Sequence, residues 1–133
     1  MTTDHTRTLV QYRLMQAEKT LRASTLLMEH GLDGVMNRSY YAMFYAVLAL
    51  LAWRQLETSK HAGAISLFDR EFVRTGVFPR ELSRWLHQAF RQRLVADYAP
   101  WNTVTEDEAR QVLDEASQFV AQVKAYLIQE LQL

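Results

Sequence analysis

Apolar residues in this chain recur every three or four positions, and no stretch alternates with the two-residue period of a half-buried strand. That spacing places large side chains along one stripe of a helix, so the chain must bury its apolar surface helix against helix. Four glycines and two prolines punctuate the pattern. Gly31 and Gly34 end one segment, Gly76 and Pro79 another, and Pro100 a third. Leu14, Ala17, Leu21 and the cluster at Leu26–Met28 predict a first helix over about 7–30. Val35, Tyr40, Phe44, Val47, Leu48 and Leu51 predict a second over about 34–53.

Thr58 or Ser59 is suited to cap a third helix carrying Ile65, Leu67, Phe68 and Phe72. Pro79 suits the first turn of a fourth, which carries Leu82, Trp85, Leu86, Phe90 and Leu94. Thr105 and Glu108 form a capping box before a long last helix with Val112, Ala116, Phe119, Val120, Val123, Tyr126 and Leu127. The expected fold is all-α, an up-and-down bundle of about five helices, with residues 1–133 as a single module.

Composition narrows the chemistry. Cysteine is absent, which excludes disulfides, thiolate nucleophiles and zinc sites built on sulfur. The longest apolar run, Tyr40 to Trp53, is shorter than the roughly 20 residues that span a bilayer. The segment before it lacks the apolar core of a signal peptide, so a cytoplasmic protein without membrane contact is expected. Formal net charge is zero but unevenly spread. From Arg70 to Arg93 six arginines face only Glu71 and Glu81, whereas from Leu94 onward seven acids face only Arg110 and Lys124. No pair of histidines or carboxylates has metal-ligand spacing, so neither a metal nor another cofactor is expected.

The stretch SYYAMFYAVLALL, residues 39–51, places three tyrosines inside the most apolar segment. On a helical wheel Arg38, Tyr41, Ala42, Tyr45, Ala49 and Ala52 share one stripe, small and polar enough for close approach of a neighbour. Tyr40, Phe44, Val47, Leu48 and Leu51 form a second stripe, which reads as core. The phenols of Tyr41 and Tyr45 are expected to line a groove with Arg38, and Arg93, Asp97 and Tyr98 to stand at its edge. Lys60 and His61 open the third helix, where free backbone N–H groups favour an anion and make a phosphate site. Trp101, beside Pro100, is placed to cover the end of a core or to stack on a base.

Three segments, RSYYAMFYAVLALL, SKHAGAISLFDREFVRTGVF and RLVADY, taken in that order, resemble the small HEPN-domain proteins of bacteria and archaea. The resemblance runs from about Ala17 to Tyr126. It implies a helical bundle, commonly a homodimer, and a minimal nucleotidyltransferase as partner in a toxin–antitoxin pair. It also implies one of three activities: nucleotide or RNA-phosphate binding, metal-independent RNA cleavage, or scaffolding alone.

The cleaving members carry an arginine followed, after four to six residues, by a histidine. Cleaving RNA through its own 2′-hydroxyl needs a base, an acid and a cation on the phosphate, which these two residue types supply. Arg54 to His61 and Arg80 to His87 match the spacing formally, but so many arginines produce about one match by chance. At the family's position stands Arg93-Leu94-Val95-Ala96-Asp97-Tyr98, with aspartate near the expected histidine. A carboxylate of ordinary pKa is a poor general acid at neutral pH. Arg93 and Asp97, one turn apart, equally suit an ion pair. Tyr98 is, by resemblance, a tyrosine that the nucleotidyltransferase partner modifies.

Overall fold

A computed structural model describes residues 3–58, 60–98 and 104–132. It contains five helices: α1 (Asp4–Leu27), α2 (Leu32–Trp53), α3 (His61–Phe68), α4 (Arg80–Tyr98) and α5 (Glu106–Leu131). No strand occurs among the described residues. The chain is all-α, as the apolar spacing requires.

Two of the five starts carry a side-chain cap. Thr3 Oγ1 accepts from the Thr6 N–H at 3.1 Å, which begins α1 three residues earlier than apolar spacing alone predicts. Thr105 Oγ1 accepts from the Glu108 N–H at 3.1 Å and donates to that glutamate's carboxylate at 3.0 Å. The expected pairing of Thr105 with Glu108 is thus present, but both bonds run through the threonine hydroxyl, so only the Thr105 half of the capping box is formed. The third helix departs from expectation. Its N-cap is Lys60, without a side-chain cap, while Thr58 Oγ1 accepts from the Lys60 N–H at 3.3 Å. Ser59, Pro100 and Trp101 lie outside the described residues. Gly34 sits inside the first turn of α2 instead of ending a segment.

The second helix is the hub, packed against α1, α3, α4 and α5. Its small residues permit this. Ala42, Ala46 and Ala49 are fully buried, and the Ser39 hydroxyl meets that of Ser24 on α1 at 2.8 Å. Ser24 also donates to the Val35 carbonyl at 3.2 Å, so both buried hydroxyls are satisfied. Tyr40, Phe68, Phe72 and Phe119 are fully buried, each stabilising the fold by about 1.5–3 kcal/mol through burial. Phe44 and Leu48, assigned by periodicity to the core stripe, are only partly buried: Phe44 is covered by His61 of α3, and Leu48 lines an open cavity between α1 and residues 55–58. Leu94 is likewise only partly buried.

The third helix does not stop at Phe68. It continues as a π-helical turn, Asp69–Val73, in which the Arg74 N–H reaches back to the Asp69 carbonyl at 2.8 Å. The wider turn keeps Phe72 stacked on Phe68 at 6.2 Å and points Asp69 at α4.

Candidate functional site

On a helix, residues 37, 40, 41 and 44 fall at offsets of three, four and seven and therefore share one face. In α2 these are Asn37, Tyr40, Tyr41 and Phe44, and they meet His61 from α3 and Phe90 and Arg93 from α4. The His61 ring lies flat on Phe44, with centroids 4.2 Å apart and planes 8° from parallel. Tyr41 presents its edge to the same imidazole at 5.6 Å. The Tyr40 hydroxyl meets His61 Nδ1 at 2.7 Å. Tyr40 is wholly buried, and this nitrogen is the sole partner of its hydroxyl among the described residues. The phenol therefore donates to Nδ1, which leaves the imidazole proton on Nε2.

Burial pushes the Tyr40 pKa well above the phenol range, against the pull of Arg93, so the hydroxyl keeps its proton. His61 is shifted the other way. Burial, and then the positive charge of Arg93, hold it below 6.5, so a neutral imidazole stands beside a guanidinium at neutral pH.

Arg93 lies over three rings: Tyr40 at 5.2 Å, Phe90 at 5.5 Å and Tyr41 at 5.6 Å. Its side chain is only 13 % exposed, and its Nε is buried without a hydrogen-bond partner. Arg38 lies over Tyr41 at 5.0 Å, so two cations share one phenol ring. A polar chain links them. Arg93 Nη1 pairs with Asp97 Oδ2 at 3.5 Å, and Asn37 Nδ2 donates to that oxygen at 3.2 Å. Arg38 Nε and Nη2 donate to Asn37 Oδ1 at 2.8 and 2.6 Å. The carboxylate thus meets one guanidinium directly and the other only through the Asn37 amide, and the surplus positive charge favours an anion.

Arg38, Tyr41, His61, Arg93 and Asp97, separate in sequence, come together here. Three other expected members do not join them. Tyr98 is 77 % exposed on the last residue of α4, Lys60 is exposed beside the start of α3, and Tyr45 turns toward α1. Tyr45 still touches Tyr41 at 6.1 Å, but it also lines a small cavity with Tyr12 and Lys19. Sequence reasoning missed Asn37 as the link, and assigned Tyr40, Phe44 and Phe90 to core packing alone. For Asn37, Tyr40 and Phe44 the signal was their shared face of α2, with Arg38 next to Asn37.

The two formal arginine–histidine spacings do not build this cluster. Arg54 lies over Trp53 and Phe72 at 5.5 and 5.4 Å and approaches Glu71 at 3.8 Å. His87 bonds through Nε2 to Asp69 at 2.6 Å. Among the described residues no three His, Asp or Glu side chains gather as a metal site, and no helix is long and apolar enough to cross a membrane.

Known proteins share this sequence over most of its length. A protein of Methanocaldococcus jannaschii named "Putative toxin" is 35 % identical over 114 residues, covering 85 % of this chain and 78 % of its own. A UPF0332 protein of Thermotoga maritima is 33 % identical, covering 92 % of this chain and 93 % of its own. A second M. jannaschii protein with the same toxin name is 36 % identical, covering 89 % and 88 %. The HEPN-domain family model matches residues 10–126, which include every residue of the cluster. The chain belongs to the HEPN-domain family.

Proposed function

We propose that this chain is a toxin-like HEPN module that binds a nucleotide or RNA phosphate at Arg38 and Arg93 and acts with a minimal nucleotidyltransferase partner. One observation carries the reading: two guanidiniums rest on one phenol ring, and of the two only Arg93 meets a carboxylate, its Nε having no partner among the described residues. A phosphate would bond the outer nitrogens of the two guanidiniums and displace little, because the aromatic rings already hold Arg93 in place. The toxin names of two relatives agree with this role. Tyr98, exposed at the end of α4, is where a modifying partner would reach the protein.

Isothermal titration with adenosine monophosphate tests the binding site. Arg93→Ala and Arg38→Ala are each expected to weaken binding about tenfold or more, the usual consequence of losing a charged hydrogen bond. Unchanged affinity in both variants would favour a scaffold without a ligand.

A second reading, metal-independent ribonuclease, is favoured by His61. Asp97 stands near where the resemblance leads one to expect a histidine, yet His61 reaches Arg93 through shared contacts with Tyr40 and Phe90. Taking the 2′-hydroxyl proton on Nε2 as that oxygen attacks phosphorus would require the other neutral tautomer, with Nδ1 donating to the Tyr40 hydroxyl in place of accepting from it. Arg93 would hold the developing charge, and a protonated group would return a proton to the departing 5′-oxygen. RNA incubated with the protein and excess chelator should then be cut, and His61→Ala and Arg93→Ala should each abolish cutting. RNA left intact by the unsubstituted protein removes this reading and leaves phosphate binding standing.

A further inference from the structure

The side of α4 opposite Arg93 carries a different arrangement. At 3.6 residues per turn, Arg80, Arg84, His87, Arg91, Val95 and Tyr98 fall within about 80° of arc, and Arg93 points roughly the other way. Arg80, Arg84 and Arg91 are all exposed, as are Val95 and Tyr98 at the end of the row. The row is about 27 Å long at 1.5 Å per residue. At its start, Gly76 takes a φ of 84° in the turn before Pro79, and an open cavity of about 800 Å³ lies between Arg74, Arg80 and Ser83.

None of Arg74, Arg80 and Arg91 has an ion pair or hydrogen bond to another described side chain. Nearby acids are engaged or offset. Asp69 holds His87, Glu71 is shared by Arg54 and Arg70, Glu115 on α5 faces Arg84, and Glu81 stands at the flank. Every cation from Arg70 to Arg93 is an arginine, the side chain whose planar fork fits phosphate oxygens. Protein interfaces place apolar residues at their centre, whereas this row has arginines at its centre and apolar groups only at one end. Such a polar, positive strip ending in a free aromatic ring fits a nucleic-acid backbone and a stacked base.

We propose that the outer face of α4 is a second contact surface for single-stranded RNA, with Arg80, Arg84 and Arg91 on successive phosphates and Tyr98 stacked on a base. It extends the RNA reading above to residues the Arg38–Arg93 cluster does not use.

The test is fluorescence anisotropy with a labelled oligouridylate about twelve nucleotides long, at salt from about 50 to 200 mM. The triple variant Arg80→Ala, Arg84→Ala, Arg91→Ala should bind at least tenfold more weakly at low salt. Its plot of log affinity against log salt should be shallower by about 2, given roughly 0.7 per phosphate contact on a single strand. The matching triple lysine variant should keep most of the slope, which separates lost charge from lost folding. Tyr98→Ala should cost about fivefold or more with the slope unchanged. A triple alanine variant that binds like the unsubstituted protein overturns the proposal. So does polyglutamate that binds this face as tightly as RNA, which would mark an acidic protein as its partner. Arg93→Ala separates the two surfaces: if it alone abolishes RNA binding, the α4 row falls and the cluster stands. If only the triple variant loses binding, the row stands and the cluster reading falls.

Discussion

One histidine of this protein packs against α4 and another lies on it, and their surroundings could hardly differ more. His61 is pressed between Phe44 and Tyr41, hydrogen-bonded to a buried phenol, and held near a guanidinium that rests on three rings. His87, on α4, meets the Asp69 carboxylate of the π-helical turn at 2.6 Å, with its side chain 43 % exposed. By sequence spacing the two were equal formal matches, His87 with six residues between it and Arg80, and His61 with six between it and Arg54. The fold gives His61 the more consequential place, because burial and ring contacts alter an imidazole more than an exposed ion pair does. Spacing finds residues that share a helix face; it does not find what packs over that face.

The contrast breaks most sharply at Tyr40. Tyr40→Ala should cost about 3–5 kcal/mol in chemical denaturation, since it empties a fully buried ring site and removes the floor beneath both His61 and Arg93. A loss below about 1 kcal/mol would mean the cluster is a surface feature and not part of the core.

Next in size is the start of α3, which sets where His61 stands. A methyl added at Gly63 would lie 2.4 Å from Thr58 Oγ1. Gly63→Ala is expected to destabilise by about 1–3 kcal/mol through this overlap. Adding Thr58→Ala should recover part of that loss; no recovery would place the strain elsewhere.

Titration then sharpens the comparison. Removing Arg93 takes away one of two causes that depress His61, so Arg93→Ala should raise the His61 pKa measured by NMR. The sign for stability follows from proton uptake. Between the depressed folded pKa and the unfolded value of 6.5, the unfolded chain binds more protons at His61. His61 therefore contributes stability that is present above pH 6.5 and is lost as pH falls below it. In Arg93→Ala this acid loss should be smaller, as read from denaturation midpoints at paired pH values.

The smallest effect belongs to the other histidine. Asp69→Asn removes the charge facing His87, and because the pair is partly exposed the cost should be at most about 1 kcal/mol. A larger loss would show that the π-helical turn depends on this pair more than on Phe72.

The helices were legible because their signals are local. Apolar positions three and four apart, a threonine three residues before a glutamate, and glycine or proline between segments act within one or two turns. Where those signals were ambiguous, boundaries moved: Thr3 began α1 early, and Lys60, not Thr58, stands at the cap of α3. Of the site, Arg38 with Tyr41 and Arg93 with Asp97 were visible because each pair lies within one helical turn.

By itself, then, the sequence determined an all-helical chain, the family it belongs to, and which arginines and phenols stand on each helix face. Only the tertiary structure decided that Tyr40 holds His61, that Asn37 joins Asp97 across 60 residues, and that Tyr98 and Lys60 stay apart from both. Those pairings depend on how α2, α3 and α4 pack, and packing is set by the fit of side chains over the whole core, which no short stretch of sequence contains.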